Sequence, residues 1–235
     1  MGSQSLSPTS MQSKPLPIDW ASIRHVVLDF GGVLYKINHQ ATTNAFSKLG
    51  LNHFDSLYSH GAQSNLMDDL ECGRVTQKEF ILTLKSLCHA NTTVDEVTKA
   101  WNSVLIGLRP NLLPLLNQLA NQFDLILFSN TNALHAAHFE KQILHKNGKA
   151  FQGAFRQIIY SHLLGHRKPD LIAYQEVERQ FGLSPKATLF IDDTPSNVQG
   201  ASNAGWTAVH HQPEHFSLEN LFIQLGLESL SSTGI

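Results

Sequence analysis

Four short segments of this chain carry residue types that do chemistry when brought together. Asp29-Phe30-Gly31-Gly32-Val33-Leu34 sets a carboxylate beside glycines, which allow tight turning and close backbone approach. Leu127-Phe128-Ser129-Asn130-Thr131-Asn132 ends in small hydroxyl and amide side chains. Gly165-His166-Arg167-Lys168-Pro169-Asp170 is a basic loop, and Phe190-Ile191-Asp192-Asp193-Thr194-Pro195-Ser196-Asn197 carries two adjacent acids. At one sheet edge they would form a single constellation of carboxylates, a lysine and a Ser/Asn cluster. Carboxylates with an open oxygen-rich position suit a hard cation such as Mg²⁺. A lysine point charge and exposed backbone suit a phosphate. A carboxylate can itself act as a nucleophile. The expected chemistry is metal-assisted phosphoryl transfer through Asp29. Mg²⁺ would offset repulsion between phosphate and carboxylates, while Lys168 keeps Asp29 ionised and holds a phosphoryl oxygen.

These segments have to be positioned by regular elements, and the hydropathy pattern supplies them. Each of the first, second and fourth segments follows or closes a short apolar run: His25–Phe30, Asp124–Phe128 and Thr188–Ile191. Similar runs occur at Gln157–Tyr160 and Thr207–Val209. Runs of this length read as strands buried on both faces. Helical patterns lie between them at 112–122, 133–145, 170–181 and 196–204. Such alternation predicts an α/β fold with a Rossmann-like, doubly wound parallel sheet.

Between the first two runs lie about ninety residues that read as helices. Asn38 is a candidate N-cap for a helix ending at Gly50, and residues 64–72 end at Gly73. Thr76-Gln77-Lys78-Glu79 and Thr93-Val94-Asp95-Glu96 are capping boxes. The second precedes Val97, Trp101, Val104 and Leu105 at helical spacing. The expected organisation is a leader over 1–19, a core formed by 20–35 and 109–235, and an inserted helical cap over 36–108. A cap there lies above the carboxyl ends of the strands, where open α/β sheets bind ligands.

Composition narrows the classes. The chain has 235 residues with 17 Lys+Arg and 19 Asp+Glu, a formal net charge of −2. That balance gives no electrostatic footprint for nucleic acid or an anionic membrane. No apolar run approaches a membrane span of about 18 residues. Two cysteines, Cys72 and Cys88, are too few for a disulfide scaffold. The Ser- and Pro-rich first residues lack the apolar segment of a secretion signal, so a cytoplasmic location is expected. His135/His138 and His162/His166 have helical spacing but no HExxH or close Cys pair, so they read as surface or helix-face residues rather than zinc ligands. Asp170 reads as a helix N-cap, and Arg109-Pro110 as the return from cap to sheet.

With all four segments in order at strand ends, the chain resembles the haloacid dehalogenase-like hydrolase superfamily over roughly residues 24–225. The likeness is to the branch of sugar-1-phosphatase-like enzymes and the phosphatase domain of soluble epoxide hydrolases. The resemblance implies Asp29 as nucleophile and metal ligand, with the Gly31 backbone carbonyl as a second ligand. It implies Ser129, Asn130 and Lys168 as phosphoryl ligands, Asp193 as a direct Mg²⁺ ligand, and Asp192 acting through water or on Lys168. It also implies a small phosphorylated substrate. One position departs from the pattern. Most phosphatases of the family carry Asp two residues after the nucleophile as general acid/base, and here that residue is Gly31. Two rival readings follow: a 2-haloacid dehalogenase, whose leaving halide needs no proton, and a weakened phosphate-binding or regulatory protein. The Asp192-Asp193 pair argues for phosphate against halide.

Overall fold

The computed structural model describes residues 18–54 and 64–227. The leader expected over 1–19 therefore lies outside the described residues except for its last two positions. Five parallel strands form the main sheet: β1 (His25–Leu28), β4 (Asp124–Ser129), β5 (Gln157–Tyr160), β6 (Thr188–Asp192) and β7 (Thr207–His210). Their spatial order is β5-β4-β1-β6-β7. The chain thus winds outward from β1 on one side and returns to place β6 on the other. β1 is flanked on both edges, with Leu28 opposite Leu127 and Ile191. Asp29, one residue beyond, accordingly emerges between the ends of β4 and β6.

Side chains alternate across the sheet, as the pleat requires. Val26 and Leu28 pack into one core layer with Leu116 and Leu119 of α5 (Leu112–Ala120) and Phe139 of α6 (Ala133–Asn147). Val27 packs into the opposite layer with Tyr174 and Val177 of α9 (Leu171–Phe181) and Ala201 of α10 (Pro195–Asn203). Two short helices, α7 (Ala150–Gly153) and α8 (Ser161–Leu164), flank β5. A last helix, α11 (Leu218–Gln224), closes the first layer, where Trp20 donates its indole N–H to the Leu225 carbonyl at 2.9 Å.

Among the described residues, four helices with their own core lie between β1 and α5: α1 (His39–Lys48), α2 (Ser64–Glu71), α3 (Gln77–Ser86) and α4 (Val94–Asn102). Phe46, Phe80, Val97 and Trp101 meet at their centre. Asn38 caps α1 through the Ala41 N–H, and both capping boxes form reciprocally, Thr76 with Glu79 and Thr93 with Glu96. The sequence had placed no strand in this segment, and the structure corrects that. β2 (Tyr35–Ile37) and β3 (Leu105–Leu108) pair antiparallel, forming a two-stranded ribbon between the helices and the main sheet. Leu105, expected on a helix, belongs to β3. Each strand spans only three or four residues, too short for an alternating pattern, and their pairing joins residues about seventy positions apart.

Candidate active site

The chemistry-bearing residues converge at the C-terminal edge of β1, β4 and β6. Lys168 is the centre of the arrangement. Its side chain is fully buried, and its ammonium donates to Asp29 Oδ1 at 2.6 Å, Asp192 Oδ2 at 2.7 Å and the Phe128 carbonyl at 2.9 Å. Three donors thus find three acceptors, as a buried ammonium requires. The rings of Phe128 and Phe190 each lie 5.1 Å from Nζ and keep water from it. Burial alone would lower the lysine pKa, but the Asp192 and Asp29 charges outweigh it and hold it above the ordinary value.

Burial drives the Asp29 pKa up to about 7 against the pull of Lys168, with Asp192 and Asp193 adding repulsion. Asp193 is likewise raised, by burial and by the Asp192 charge. Asp29, Asp192 and Asp193 each offer an oxygen within 4.8 Å of the others, the one such cluster among the described residues. Three carboxylates this close together, two of them with raised pKa values, are a donor set that a hard cation would relieve. The residues present therefore fit Mg²⁺.

Asp192 faces inward. Its Oδ1 accepts from the Thr194 N–H at 2.8 Å, Asn197 Nδ2 reaches both oxygens at 3.0 and 3.2 Å, and Oδ2 also takes Lys168. Of the two roles expected for it, these bonds favour the one on Lys168. Asn130, expected on phosphate, has its side chain on the Lys168 backbone. Its Nδ2 donates to the Lys168 carbonyl at 2.7 Å and its Oδ1 accepts the Lys168 N–H at 3.0 Å. The side chain is therefore a clamp on the lysine backbone. Ser129 ends β4 buried, its hydroxyl making only a long 3.4 Å contact with the Asn130 carbonyl, and it lines the cleft. Asp170 occupies the N-cap of α9, as expected, although its side chain makes no capping bond.

Gly31 and Gly32 have different reasons to be glycine. Gly32 has φ +81°, and a Cβ there would lie 1.9 Å from Asp193 Oδ2, so the loop and the carboxylate touch only because no side chain intervenes. Gly31 has no positive φ, and a Cβ there would meet only Ile37 at an ordinary 3.8 Å. The Gly32 carbonyl accepts from Arg109 Nε at 2.9 Å, and the Arg109 N–H bonds the Leu34 carbonyl at 2.9 Å. Arg109, expected at the return from cap to sheet, thus fastens the Asp29 loop.

A cleft of about 730 Å³ opens beside Gly31 and Ser129, between the sheet edge and the inserted helices. A family model for haloacid dehalogenase-like hydrolases matches residues 23–205. The chain is a haloacid dehalogenase-like hydrolase. It is 28% identical over 193 residues to a D-ribitol-5-phosphate phosphatase of Bacteroides thetaiotaomicron, an alignment covering 82% of this chain and 93% of that protein. A HAD-like family hydrolase of Porphyromonas gingivalis superposes with TM-score 0.78 at 25% identity, over 87% of this chain and 98% of that one. A family enzyme of B. thetaiotaomicron, solved with magnesium and inorganic phosphate, superposes with TM-score 0.75 at 24% identity, over 85% of this chain and 99% of that one.

Several residues of this hydrolase site carried no role in the sequence reading. Thr194 and Asn197 buttress Asp192, and Arg167 pairs with Asp68 and Glu71 of α2. Trp101 of α4 stacks on His135 of α6, with ring centroids 4.6 Å apart. Thr194 and Asn197 lie within five residues of Asp192, inside the fourth segment, whereas the partners of Arg167 and Trp101 are distant in sequence and leave no local signal. His138 contacts Gln142 and His162 contacts the Thr131 carbonyl.

Proposed function

We propose that this hydrolase is a Mg²⁺-dependent phosphatase acting on a small phosphorylated metabolite through an aspartyl-phosphate. The observation that carries the reading is the Lys168 ammonium bound to both Asp29 and Asp192, with Asp193 beside them. The phosphatase relative and the fold shared with an enzyme solved with magnesium and phosphate support it. Asp29, Asp193 and the Gly31 carbonyl would hold Mg²⁺, which when bound neutralises charge between the carboxylates and the phosphate.

Lys168 holds Asp29 Oδ1, so Oδ2 is the attacking oxygen. Attack on phosphorus forms the aspartyl-phosphate and breaks the ester P–O bond, the leaving oxygen taking its proton from solvent water, and water then cleaves the acyl phosphate to release phosphate and regenerate Asp29. Lys168 keeps Asp29 ionised and offsets charge on a phosphoryl oxygen, with Ser129 as a hydroxyl donor to another. Asn130, Thr194 and Asn197 hold Lys168 and Asp192 in place. Asp193 disfavours the dehalogenase reading, since halide displacement needs no cation.

The test is release of phosphate from p-nitrophenyl phosphate with Mg²⁺ and with EDTA. Metal-dependent turnover that disappears in Asp29→Asn is expected. Full activity in a folded Asp29→Asn protein, or in EDTA, overturns the mechanism.

A further inference from the structure

The cleft beside the candidate site has a lining that selects the other end of the substrate. Much of its wall is apolar, including Ile37, Phe54, Met67, Trp101, Leu105 and Phe139. Its polar side chains are largely occupied by the protein itself. His135 bonds the Trp101 carbonyl through Nε2 at 3.2 Å and Asn132 through Nδ1 at 3.2 Å. The Asn130 amide is held by the Lys168 backbone. Arg167, which faces the cleft, pairs with Asp68 and, through Nε at 2.8 Å, with Glu71. This is one cation against two acids on α2, so the Arg167 charge is already offset before any anion arrives. Among the described residues, His39 at the cleft mouth is the only other titratable base lining it.

We propose that the substrate is a phosphate monoester of an uncharged alcohol with an apolar body, and that the Asp68–Arg167–Glu71 group excludes bisphosphates and phosphocarboxylates. The proposal rests on the phosphatase reading above and deepens it. An apolar body gains by leaving water against Trp101, Met67 and Phe139. An anionic tail would enter beside an acidic pair whose only cation is already bound, and would lose hydration without a partner.

The experiment compares three aryl phosphates with closely matched leaving groups: 4-ethylphenyl, 4-(2-hydroxyethyl)phenyl and 4-(2-carboxyethyl)phenyl phosphate. Matching the phenols separates cleft recognition from leaving-group acidity. The expected order in kcat/KM is ethyl, then hydroxyethyl, then carboxyethyl, with at least tenfold between first and last. A carboxyethyl ester hydrolysed as well as the ethyl ester overturns the proposal. So does a hydroxyethyl ester that outperforms the ethyl ester. In Glu71→Gln and in Asp68→Asn the ethyl-to-carboxyethyl ratio should narrow several-fold, because Arg167 gains a free donor. An unchanged ratio in both folded variants overturns the role of the triad. p-Nitrophenyl phosphate distinguishes the two levels. If it is not hydrolysed, the phosphatase reading fails and this proposal with it. If it is hydrolysed while charged esters are preferred, this proposal alone fails.

Discussion

At Gly31 the site lacks a side chain able to protonate a leaving alkoxide. A positioned general acid is worth about 10²–10⁴ in rate, or roughly 3–5 kcal/mol with a poor leaving group. Aryl, acyl and anomeric phosphates should therefore be hydrolysed faster than alkyl monoesters, with a steep dependence of rate on leaving-group pKa. A flat dependence with chemistry rate-limiting would mean that another residue donates the proton. Gly31→Asp is sterically accommodated, since its Cβ meets only Ile37 at 3.8 Å. That variant should gain most on alkyl esters, measured as the ratio of alkyl to aryl kcat/KM. Gly32 behaves oppositely. Gly32→Ala places a Cβ 1.9 Å from Asp193 Oδ2 at φ +81°, so it should weaken Mg²⁺ binding and cost about 1–3 kcal/mol of stability. Calorimetric titration with Mg²⁺ and a chemical melt check the two effects, and wild-type values in both would refute the contact.

Among the elements, the contact between α4 and α6 is sensitive to pH. His135 is sandwiched against Trp101, and both ring nitrogens are engaged in its neutral form. Desolvation lowers its pKa to about 4, and the nearby His138 and His39 act in the same direction. Because the folded pKa is depressed below the unfolded value of about 6.5, the unfolded chain binds the extra proton first. Stability from this group is complete above pH 6.5 and is lost as pH falls toward 4, by an amount on the order of 1–3 kcal/mol. His211, buried and also lowered to about 4 by desolvation, adds a loss of the same sign. Thermal melts between pH 4.5 and 7.5 should show this acid slope, and His135→Gln should flatten it. An identical slope in that variant removes His135 as its source.

For the whole molecule, a cation that binds only the folded site stabilises the fold by mass action. At a concentration of 100 Kd the gain is about 2.7 kcal/mol. At roughly 2–4 °C per kcal/mol for a chain of this size, Mg²⁺ should raise Tm by roughly 5–10 °C. The shift should vanish with EDTA and shrink strongly in Asp193→Asn. A wild-type Tm indifferent to Mg²⁺ up to tens of millimolar would argue against the carboxylate cluster as a cation site.

The sequence by itself determined the sheet and most of its helices. Runs such as VVL before Asp29 and TLFI before Asp192 are buried on both faces, and local hydropathy records that directly. The capping boxes at Thr76 and Thr93 were equally legible, since both partners lie within one helical turn. The motif order also indicated that Asp29, Lys168 and the two acids meet at one edge. Tertiary structure decided what each group does there. That Asn130 clamps the Lys168 backbone, that Asp192 faces the lysine, and that Gly32 rather than Gly31 is sterically required all depend on orientation across strands. The β2–β3 ribbon and the pairing of Arg167 with Asp68 and Glu71 likewise depend on contacts between residues roughly seventy to one hundred positions apart. Such contacts leave no local periodicity, because the free energy that selects them arises only once the sheet and the inserted helices have packed.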